Sequence, residues 1–366
     1  MRFSRVAGLG TRVAMSSPGG RLRRAITTLS DWQGRHAPVA VPYAVMKKFG
    51  DDDANLLVVA LGWYGFTAIY PLLLVVVTVF GFVGEASLGT TVVRTLHEFP
   101  VIGSQFNPGR GGSQLHGSVA GLVIGCIGLI YGAQGVTQTA ETALNRVWNV
   151  PDTELPGFLP RLARSLAGLF AIGLAFLVNA FVASIAAGHG EPMAERAGLI
   201  VGLAVLNVGF YAIAFRALTT GTARFRELLP GAVTAAIGFT ALITIGVGLV
   251  QHQLRSANAT YGALGAVIGV VTFLLLLAKL TLYAAELNPV LARRLWPRAL
   301  PTAPPTDADN EVLRARAREE QARPDERVGV GFGADAPEEA AADAKRPAGG
   351  QPPALAEPQQ GGRRTA

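Results

Sequence analysis

The longest stretch without a charged residue most constrains what this chain can fold into. No charged side chain occurs between positions 54 and 84. As a helix rising about 1.5 Å per residue, this stretch exceeds the roughly 30 Å hydrocarbon core of a bilayer, so it can cross a membrane with some tilt. Pro71 lies within it, removes one backbone hydrogen bond and predicts a kink at that point. The first feature of the sequence is therefore a membrane span.

Five further apolar stretches predict an all-α transmembrane domain of six helices, over residues 54–298. They cover residues 117–140, 165–187, 197–215, 228–250 and 263–285. Only 16% of the residues are charged and 50% are hydrophobic, whereas a soluble domain carries about a quarter charged residues. This composition favours a polytopic membrane protein, and an even number of spans places both termini on one side.

The distribution of basic residues predicts which side that is. Cytoplasmic loops carry an excess of Lys and Arg, and basic residues crowd both the N-terminal segment and the chain after Glu286. The short loops of that side hold Arg146, Arg161, Arg164, Arg216, Arg224 and Arg226, against Arg94, Arg110, Arg196 and Arg255 on the other. Both termini are therefore predicted to be cytoplasmic.

The two ends of the chain are predicted to lie outside the membrane domain. Residues 1–37 are basic and predicted to be disordered, and residues 38–53 are predicted to form an interfacial juxtamembrane segment. The tail, residues 299–366, is rich in Pro, Ala, Gly and mixed charge, so it buries too little apolar surface to order itself. We predict that it is disordered and that truncation after Leu300 leaves insertion and folding intact.

The net charge of +7 does not indicate a nucleic-acid partner. Binding to nucleic acid needs a basic face on a folded module, together with stacking aromatic residues or a known motif. Here the arginines flank apolar stretches, which is the pattern that orients a membrane protein. The predicted partners are therefore membrane lipids and a small-molecule or lipid substrate, and the sequence does not predict an oligomeric state.

Three stretches resemble the YihY/BrkB family of bacterial inner-membrane proteins. The first (51–76) reads DDDANLLVVALGWYGFTAIYPLLLVV and combines an acidic lead-in with an aromatic pair and an aromatic-proline step. The second (142–150) reads TALNRVWNV and closes the second span. The third (259–288) reads ATYGALGAVIGVVTFLLLLAKLTLYAAELN, opening on Tyr-Gly and ending in an acidic residue and Asn. The resemblance covers roughly residues 40–300.

The resemblance implies six transmembrane helices in the plasma membrane but no agreed mechanism. Members of this family have been labelled virulence or serum-resistance factors, some were filed as a ribonuclease, and transport of lipids or small solutes has been proposed. The chain departs from the family at Ala284, where the family often has Gly before the closing Ala-Glu. This departure argues against a close backbone approach at that position.

The second predicted span has two distinct faces. Its glycines recur at helical spacing and form a nearly smooth face that allows another helix to approach closely: Gly117, Gly121, Gly125, Gly128, Gly132 and Gly135. A polar stripe lies about 100° away around the helix and consists of Gln134, Gln138, Glu141 and Asn145. The glycine face predicts helix packing, with a permeation path as the alternative. The polar stripe predicts a water-filled cavity or hydrogen bonds between helices, and both readings stay open.

Lys279 is the one charged residue deep in a predicted span. Tyr283 and Glu286 follow at i+4 and i+7, on the same face of the sixth helix. An intramembrane ionisable group is by default a candidate functional residue, although the ammonium group can also snorkel to the interface. Because the second and sixth spans run in the same direction, Glu141 and Lys279 lie at comparable depth, and a pair between them is a hypothesis. These residues complete the candidate polar cavity.

No pattern of enzymatic chemistry emerges from the sequence. His97, His116, His189 and His252 fall in separate predicted outer loops without ligand spacing, so no metal site and no cofactor are predicted. The sequence contains no G-x-S-x-G motif of a serine nucleophile, no H-E-x-x-H metal-binding motif and no Walker loop. The leading hypothesis is a transporter or lipid-handling protein without its own ATPase. A non-catalytic envelope scaffold is the alternative, and a membrane hydrolase or ribonuclease is least favoured because no loop clusters the carboxylates needed to hold metal.

Overall fold

The computed structural model of the chain is all-helical, and no strand occurs among the residues that it describes. The described residues are 32–83, 119–151, 193–220, 223–257, 262–301, 303–323 and 325–333, with isolated positions at 28–30, 153–167 and 336–340. Within them the helices are α1 (Ala37–Asp51), α2 (Ala54–Val83), α3 (Val119–Val147), α4 (Met193–Leu218), α5 (Phe225–Ala257), α6 (Gly262–Ala292) and α7 (Asp307–Glu319).

The described helices present apolar surface outward, as a protein solvated by lipid does. Three stretches are long and apolar enough to cross a membrane, namely Leu122–Val147, Val201–Leu218 and Val267–Ala292, and Ala54–Ile69 is a shorter apolar helix. Large apolar side chains are exposed along them, including Leu56, Val59, Trp63, Ile124, Ile127, Val205, Ile268 and Leu276. Because so much apolar surface is unfavourable against water, the chain is an integral membrane protein.

The described helices extend beyond the predicted spans. Helix α3 continues to Val147, past the predicted end at 140, and α6 continues to Ala292, past 285. Hydropathy marks only the part of a helix that faces lipid, whereas the helix itself continues into the polar region. The predicted third span, residues 165–187, lies almost entirely outside the described residues, so the count of six remains a prediction.

The glycine face of α3 packs against α2. Gly132 lies so close to Ala68 that an added Cβ atom would be 2.9 Å from its Cα and Cβ atoms. Gly128 lies against the ring of Pro71, and Gly135 lies against the ring of Tyr64. Gly125 is buried and Gly121 lies in the helix, whereas Gly117 is outside the described residues. Small residues here allow the two helices to come close, which van der Waals packing in a membrane requires.

A second close approach joins α5 to α6. The backbone N–H of Gly231 donates to Oδ1 of Asn288 at 2.7 Å, and an added Cβ atom at Gly231 would be 2.3 Å from the carbonyl oxygen of Ala284. A close backbone approach therefore does occur at Ala284, where the departure from the family had argued against it. The glycine that permits the approach lies on the partner helix, directly after Pro230.

Replacing Gly231 with alanine is expected to destabilise the protein by roughly 1–3 kcal/mol, because the new methyl group would meet backbone and amide atoms that cannot move easily. The matched control is Gly202→Ala in α4, where an added Cβ atom meets nothing within 4 Å. That control should be neutral or slightly stabilising, since alanine favours a helix. Unfolding in detergent, followed by tryptophan fluorescence, measures both. Equal stability of the two variants would contradict the close approach.

Both α3 and α6 end in the same type of cap. At the end of α3, the N–H of Val150 donates to the carbonyl of Asn145 at 2.9 Å, and the N–H of Asn149 donates to that of Arg146 at 2.9 Å. Asn149 has φ of 50°, the left-handed conformation that closes a Schellman motif. Arg294, with φ of 52°, occupies the equivalent position after α6. These caps turn the chain at one end of the helices.

The chain ends meet there in a region that we call the charged layer, comprising residues 37–53, 141–151 and 286–319. Helix α1 packs on α6, with Ala44, Val45 and Phe49 buried, so the predicted interfacial helix rests on protein along this face. The charged layer also contains the start of the predicted disordered tail.

The prediction of disorder from residue 299 is wrong over α7. Thr306 forms a capping box with Asp309 at the start of α7, and Ala308 and Val312 are buried. The tail was judged by its lack of apolar surface, but charge-assisted hydrogen bonds to other helices hold this part of it in place. Residues 341–366 lie outside the described residues.

Candidate functional site

Three charged side chains are buried together where α1 meets α6. Lys48 and Glu286 are 0% exposed, and Asp52 is 2% exposed. The Lys48 ammonium donates to Oδ2 of Asp52, one helical turn away, and lies 3.1 Å from Oε2 of Glu286. We call these residues the buried charge cluster. Two carboxylates thus lie beside one ammonium group, and all three residues are almost completely buried.

The cluster is anchored to a third helix and bordered by an aromatic pair. Lys48 also donates to the carbonyl oxygen of Val147 at 2.7 Å, in the last turn of α3. Phe49 stacks on Tyr283, with ring centroids 4.0 Å apart. Burial alone would lower the pKa of Lys48, but the charges of Glu286 and Asp52 raise it above its ordinary value. The lysine is therefore held in its charged form and joins α1, α3 and α6.

The three consecutive aspartates of the α1–α2 turn each bind a different cation. Asp51 accepts from Arg298 at 2.6 Å, Asp52 belongs to the buried charge cluster, and Asp53 accepts from Arg316 at 2.5 Å. Asp53 has φ of 51°, which aspartate adopts more readily than most residues. The turn therefore distributes its carboxylates in three directions within the charged layer.

Asp309 of α7 is the centre of a second ion-pair network. Its Oδ1 accepts from Lys47 at 2.8 Å and from Arg298 at 2.6 Å, and its Oδ2 accepts from the backbone N–H groups of Ala299 and Thr306, each at 2.9 Å. Lys47 and Lys48 thus point to different carboxylates, although they are neighbours in the sequence. This network fixes α7 to α1 and to the segment after α6.

The Asp309 network is insensitive to pH near neutrality. Burial would raise the pKa of Asp309, but the hydrogen bonds from Lys47, Thr306, Arg298 and Ala299 hold it well below its usual range. Because the folded-state pKa is depressed, the stabilisation is present above the unfolded value of about 3.9 and is lost only as the pH falls below it. We call the contacts of Asp309 with Lys47, Arg298, Ala299 and Thr306 the clamp, because they persist throughout the neutral pH range.

The other end of α7 is fixed to the end of α3. Oε1 of Glu319 accepts from Arg146 at 3.1 Å and its Oε2 accepts from Asn149 at 3.0 Å. Arg293 donates to the carbonyl of Trp148 at 3.0 Å and lies over the indole ring. Residues 142–150, which resemble the family's segment at the end of the second span, therefore contact both α7 and the end of α6.

The polar stripe of α3 becomes more buried toward the charged layer. Gln134 and Gln138 are partly buried, whereas Glu141 and Asn145 are buried. Oδ1 of Asn145 accepts from the backbone N–H of Thr220 at 2.7 Å and thereby holds the connection between α4 and α5. At this position the stripe makes a hydrogen bond between elements, which is one of the two readings left open by the sequence.

The structure places Arg164 beside Glu141, with 3.7 Å between the guanidinium and the carboxylate, while Lys279 is exposed. Of the predicted cavity residues on α6, Glu286 lies in the buried charge cluster and Tyr283 borders it. We therefore expect Lys279→Met to be nearly neutral and to add to Glu141→Gln without coupling. A double-mutant cycle of unfolding free energies in detergent measures this. A coupling above about 1 kcal/mol would restore the hypothesis of a pair.

Comparison with protein families agrees with the resemblance carried by these segments. The sequence model of the family described as virulence factor BrkB matches residues 45–309. The chain belongs to the BrkB family. The match begins within α1, before Lys48, and ends at Asp309, so it includes the buried charge cluster and the centre of the clamp. No curated protein and no solved structure matched this chain.

The sequence alone did not reveal the central member of this BrkB-family site. Lys48 lies outside the apolar spans, and only its i+4 spacing to Asp52 gave a signal. Its contact with Glu286 spans most of the chain, so no local pattern predicts it. Among the described residues, no group of three or more His, Cys, Asp or Glu side chains is placed to hold a metal ion.

Proposed function

We propose that this BrkB-family protein is a transporter or lipid- or solute-handling protein of the bacterial inner membrane, without an ATPase of its own. The observation that carries the proposal is the buried charge cluster, in which Lys48, Asp52 and Glu286 lie between three helices with almost no exposure. Buried ionisable groups are costly to desolvate, and where the ends of membrane helices meet they are candidates for an ion or substrate site. The polar stripe on α3 supports the same role.

A scaffold would not need this cluster. Replacing a buried ion pair with apolar side chains of similar size is often neutral or stabilising, so buried charges are weak evidence for a purely structural role. The cluster joins α1, α3 and α6. A change in its ionisation can therefore be linked to the relative position of these helices.

The alternative is a non-catalytic envelope scaffold, and the packing of α2 on α3 favours it. The contact of Gly132 with Ala68 is close and apolar, which supports helix packing as the role of the glycine face. The hypothesis that the tail recruits partners is less favoured, because α7 binds the protein's own helices through Asp309 and Glu319. We propose no enzymatic reaction and no cofactor.

The proposed orientation places the charged layer in the cytoplasm. Single cysteines at Ser113 and Ser256 should be labelled by an impermeant maleimide from outside intact cells, in a chain whose Cys126 is replaced. Cysteines at Thr153 and Thr222 should be labelled only after permeabilisation, because they lie in the arginine-rich loops. Labelling at Thr153 from outside would contradict the orientation.

Transport is tested with purified protein in liposomes. One arm measures transbilayer movement of a fluorescent phosphatidylglycerol by dithionite quenching, and the other measures uptake of isotope-labelled amino acids, sugars and polyamines under an imposed pH gradient. We expect the native protein to accelerate one arm and Glu286→Gln to reduce it to the rate of protein-free liposomes. The carboxylate-to-amide control is Asp325→Asn, whose side chain is 68% exposed. Equal rates for the native protein and empty liposomes in both arms would favour the scaffold.

A further inference from the structure

The buried charge cluster carries one more negative than positive charge when all three groups are ionised. Lys48 binds Asp52 through Oδ2 and lies beside Oε2 of Glu286. Within the described residues, Oδ1 of Asp52 and both carboxylate oxygens of Glu286 are buried and have no hydrogen-bond partner. A buried carboxylate oxygen without a donor loses its hydration without compensation, so this arrangement is unfavourable for a second full negative charge.

The charged groups around the cluster make their hydrogen bonds with other partners. Arg146, Arg316, Glu319 and Glu320 line the cavity beside Asp52, and Arg293 attracts Asp52 electrostatically. Arg146 pairs with Glu319, and Arg316 pairs with Asp53. Arg293 lies over the ring of Trp148 and donates to its carbonyl. None of these groups donates a hydrogen bond to the unpaired carboxylate oxygens of the cluster, so a bound proton is the group that can satisfy them.

A proton fits this site better than a metal ion. The Lys48 ammonium already occupies the position between the two carboxylates where a cation would bind. A sodium or calcium ion would also need several oxygen ligands, and no group of metal-binding side chains occurs among the described residues. A proton needs no additional space, and it converts an unpaired carboxylate oxygen into a hydrogen-bond donor. Two carboxyl groups at one site do not both ionise readily, since like charges repel.

Water can reach one side of the cluster. A cavity of about 40 Å³ borders Asp52 and is lined on its other sides by Arg146, Arg316, Glu319 and Glu320. This volume holds a water molecule, and the lining offers the polar partners that a buried water needs. The cavity lies beneath α7, so the helix that clamps the charged layer also covers the route from Asp52 to solvent.

We propose that Asp52 and Glu286 share one exchangeable proton, held beside Lys48 and exchanged with solvent through the cavity under α7. Uptake forms one O–H bond on a carboxylate oxygen at the expense of one O–H bond of a hydronium ion in the cavity, and release is the reverse. No electrons are transferred. The role of this proton as a coupling ion rests on the proposed transport function. The presence of the proton at the site does not depend on that function.

Charge balance predicts how many protons each variant holds. The native protein holds one proton on two carboxylates. Asp52→Asn and Glu286→Gln each leave one carboxylate paired with Lys48, so neither variant should hold a proton. Lys48→Met leaves two carboxylates without an ammonium group and should hold two. The matched control is Glu141→Gln, which removes another buried carboxylate, one that lies beside Arg164.

Infrared spectroscopy of the full-length protein in nanodiscs counts these protons through the C=O stretching band of protonated carboxyl groups. At neutral pH we expect the band in the native protein and in Glu141→Gln, its loss in both Asp52→Asn and Glu286→Gln, and a rise of about twofold in Lys48→Met. Absence of the band from the native protein, or its persistence in both amide variants, would overturn the shared proton. Absence of the band from the native protein would be decisive even if a variant failed to fold.

The coupling role is tested separately in liposomes loaded with pyranine, a pH-sensitive dye. If the proton is a coupling ion, the substrate moved in the transport assay should drive proton flux in the native protein and in Asp325→Asn, but not in Glu286→Gln. A protein that shows the infrared band without substrate-driven proton flux would retain the proton site and refute its coupling to transport. A protein with flux and no band would refute the site while leaving the transport function standing.

Discussion

Replacing Lys48 with methionine is expected to lower the free energy of unfolding by roughly 3–5 kcal/mol, the usual cost of removing one member of a buried ion pair. The change leaves Asp52 and Glu286 buried without their ammonium partner, and it also removes the hydrogen bond to the Val147 carbonyl. Methionine fills nearly the same volume, so the loss arises from electrostatics and not from a cavity. The penalty should shrink as the pH falls, because the folded variant is proposed to bind one more proton than the folded native protein.

Two further variants separate this effect from a general loss of a lysine. Lys47→Met changes the neighbouring residue, whose side chain is 31% exposed, and should cost much less because Asp309 keeps Arg298 and two backbone donors. The double variant Lys48→Met with Glu286→Gln should recover part of the stability lost in Lys48→Met alone. Denaturation in detergent followed by tryptophan fluorescence measures all three. A Lys48→Met variant as stable as Lys47→Met would show that the cluster does not stabilise the fold.

Truncation after Leu300 is the second change with a large expected effect. It removes α7 and with it Asp309, Arg316 and Glu319. Arg298, which is almost fully buried, would lose one of its two carboxylate partners and keep Asp51. The pairs of Lys47 with Asp309 and of Arg146 with Glu319 would be lost as well, so together we expect a loss of roughly 3–5 kcal/mol. This expectation reverses the prediction from composition that the tail is dispensable. Thermal unfolding of the truncated and full-length proteins in the same detergent measures it.

The control for this truncation is removal of residues 341–366 only. That segment is rich in Pro, Gly, Gln and Ala, a composition that buries little apolar surface, so its removal should leave the unfolding temperature unchanged. Asp309→Asn in the full-length chain should reproduce much of the effect of the long truncation, because it removes the charge without removing the helix. Equal unfolding temperatures for the chain that ends at Leu300 and the full-length chain would mean that the clamp contributes nothing.

Several features of the fold could be predicted from the sequence because they depend on local patterns. The charge-free run from residue 54 predicted a helix that begins at Ala54, and the apolar runs predicted the central parts of α3, α4, α5 and α6. The motifs around Pro71, Arg146 and Glu286 were sufficient to identify the family. The length of an apolar run and the residues of a short motif are properties of consecutive positions. Both can therefore be read from the sequence without knowing which other elements they contact.

Analysis of helical spacing identified Glu286 as a candidate site residue but grouped it with one residue that lies elsewhere. Helical spacing grouped it correctly with Tyr283 on one face of α6, and the same spacing drew in Lys279, which the structure leaves exposed. Spacing reports which residues share a face, but it does not report where along the helix that face passes from lipid to protein. The change occurs between these residues because α1 packs only on the last part of α6.

Tertiary structure alone decided the pairing of charges. Each aspartate of the run 51–53 had several arginines and lysines as candidate partners, and a long-range ion pair leaves no periodic signal in a single sequence. The fold of α7 was hidden for the same reason: its stabilisation comes from Lys47, Arg146 and Arg298, all contributed by other elements. Apolar patterning thus determined which segments are helices in the membrane, whereas electrostatic contacts between distant segments determined how their charged ends are joined.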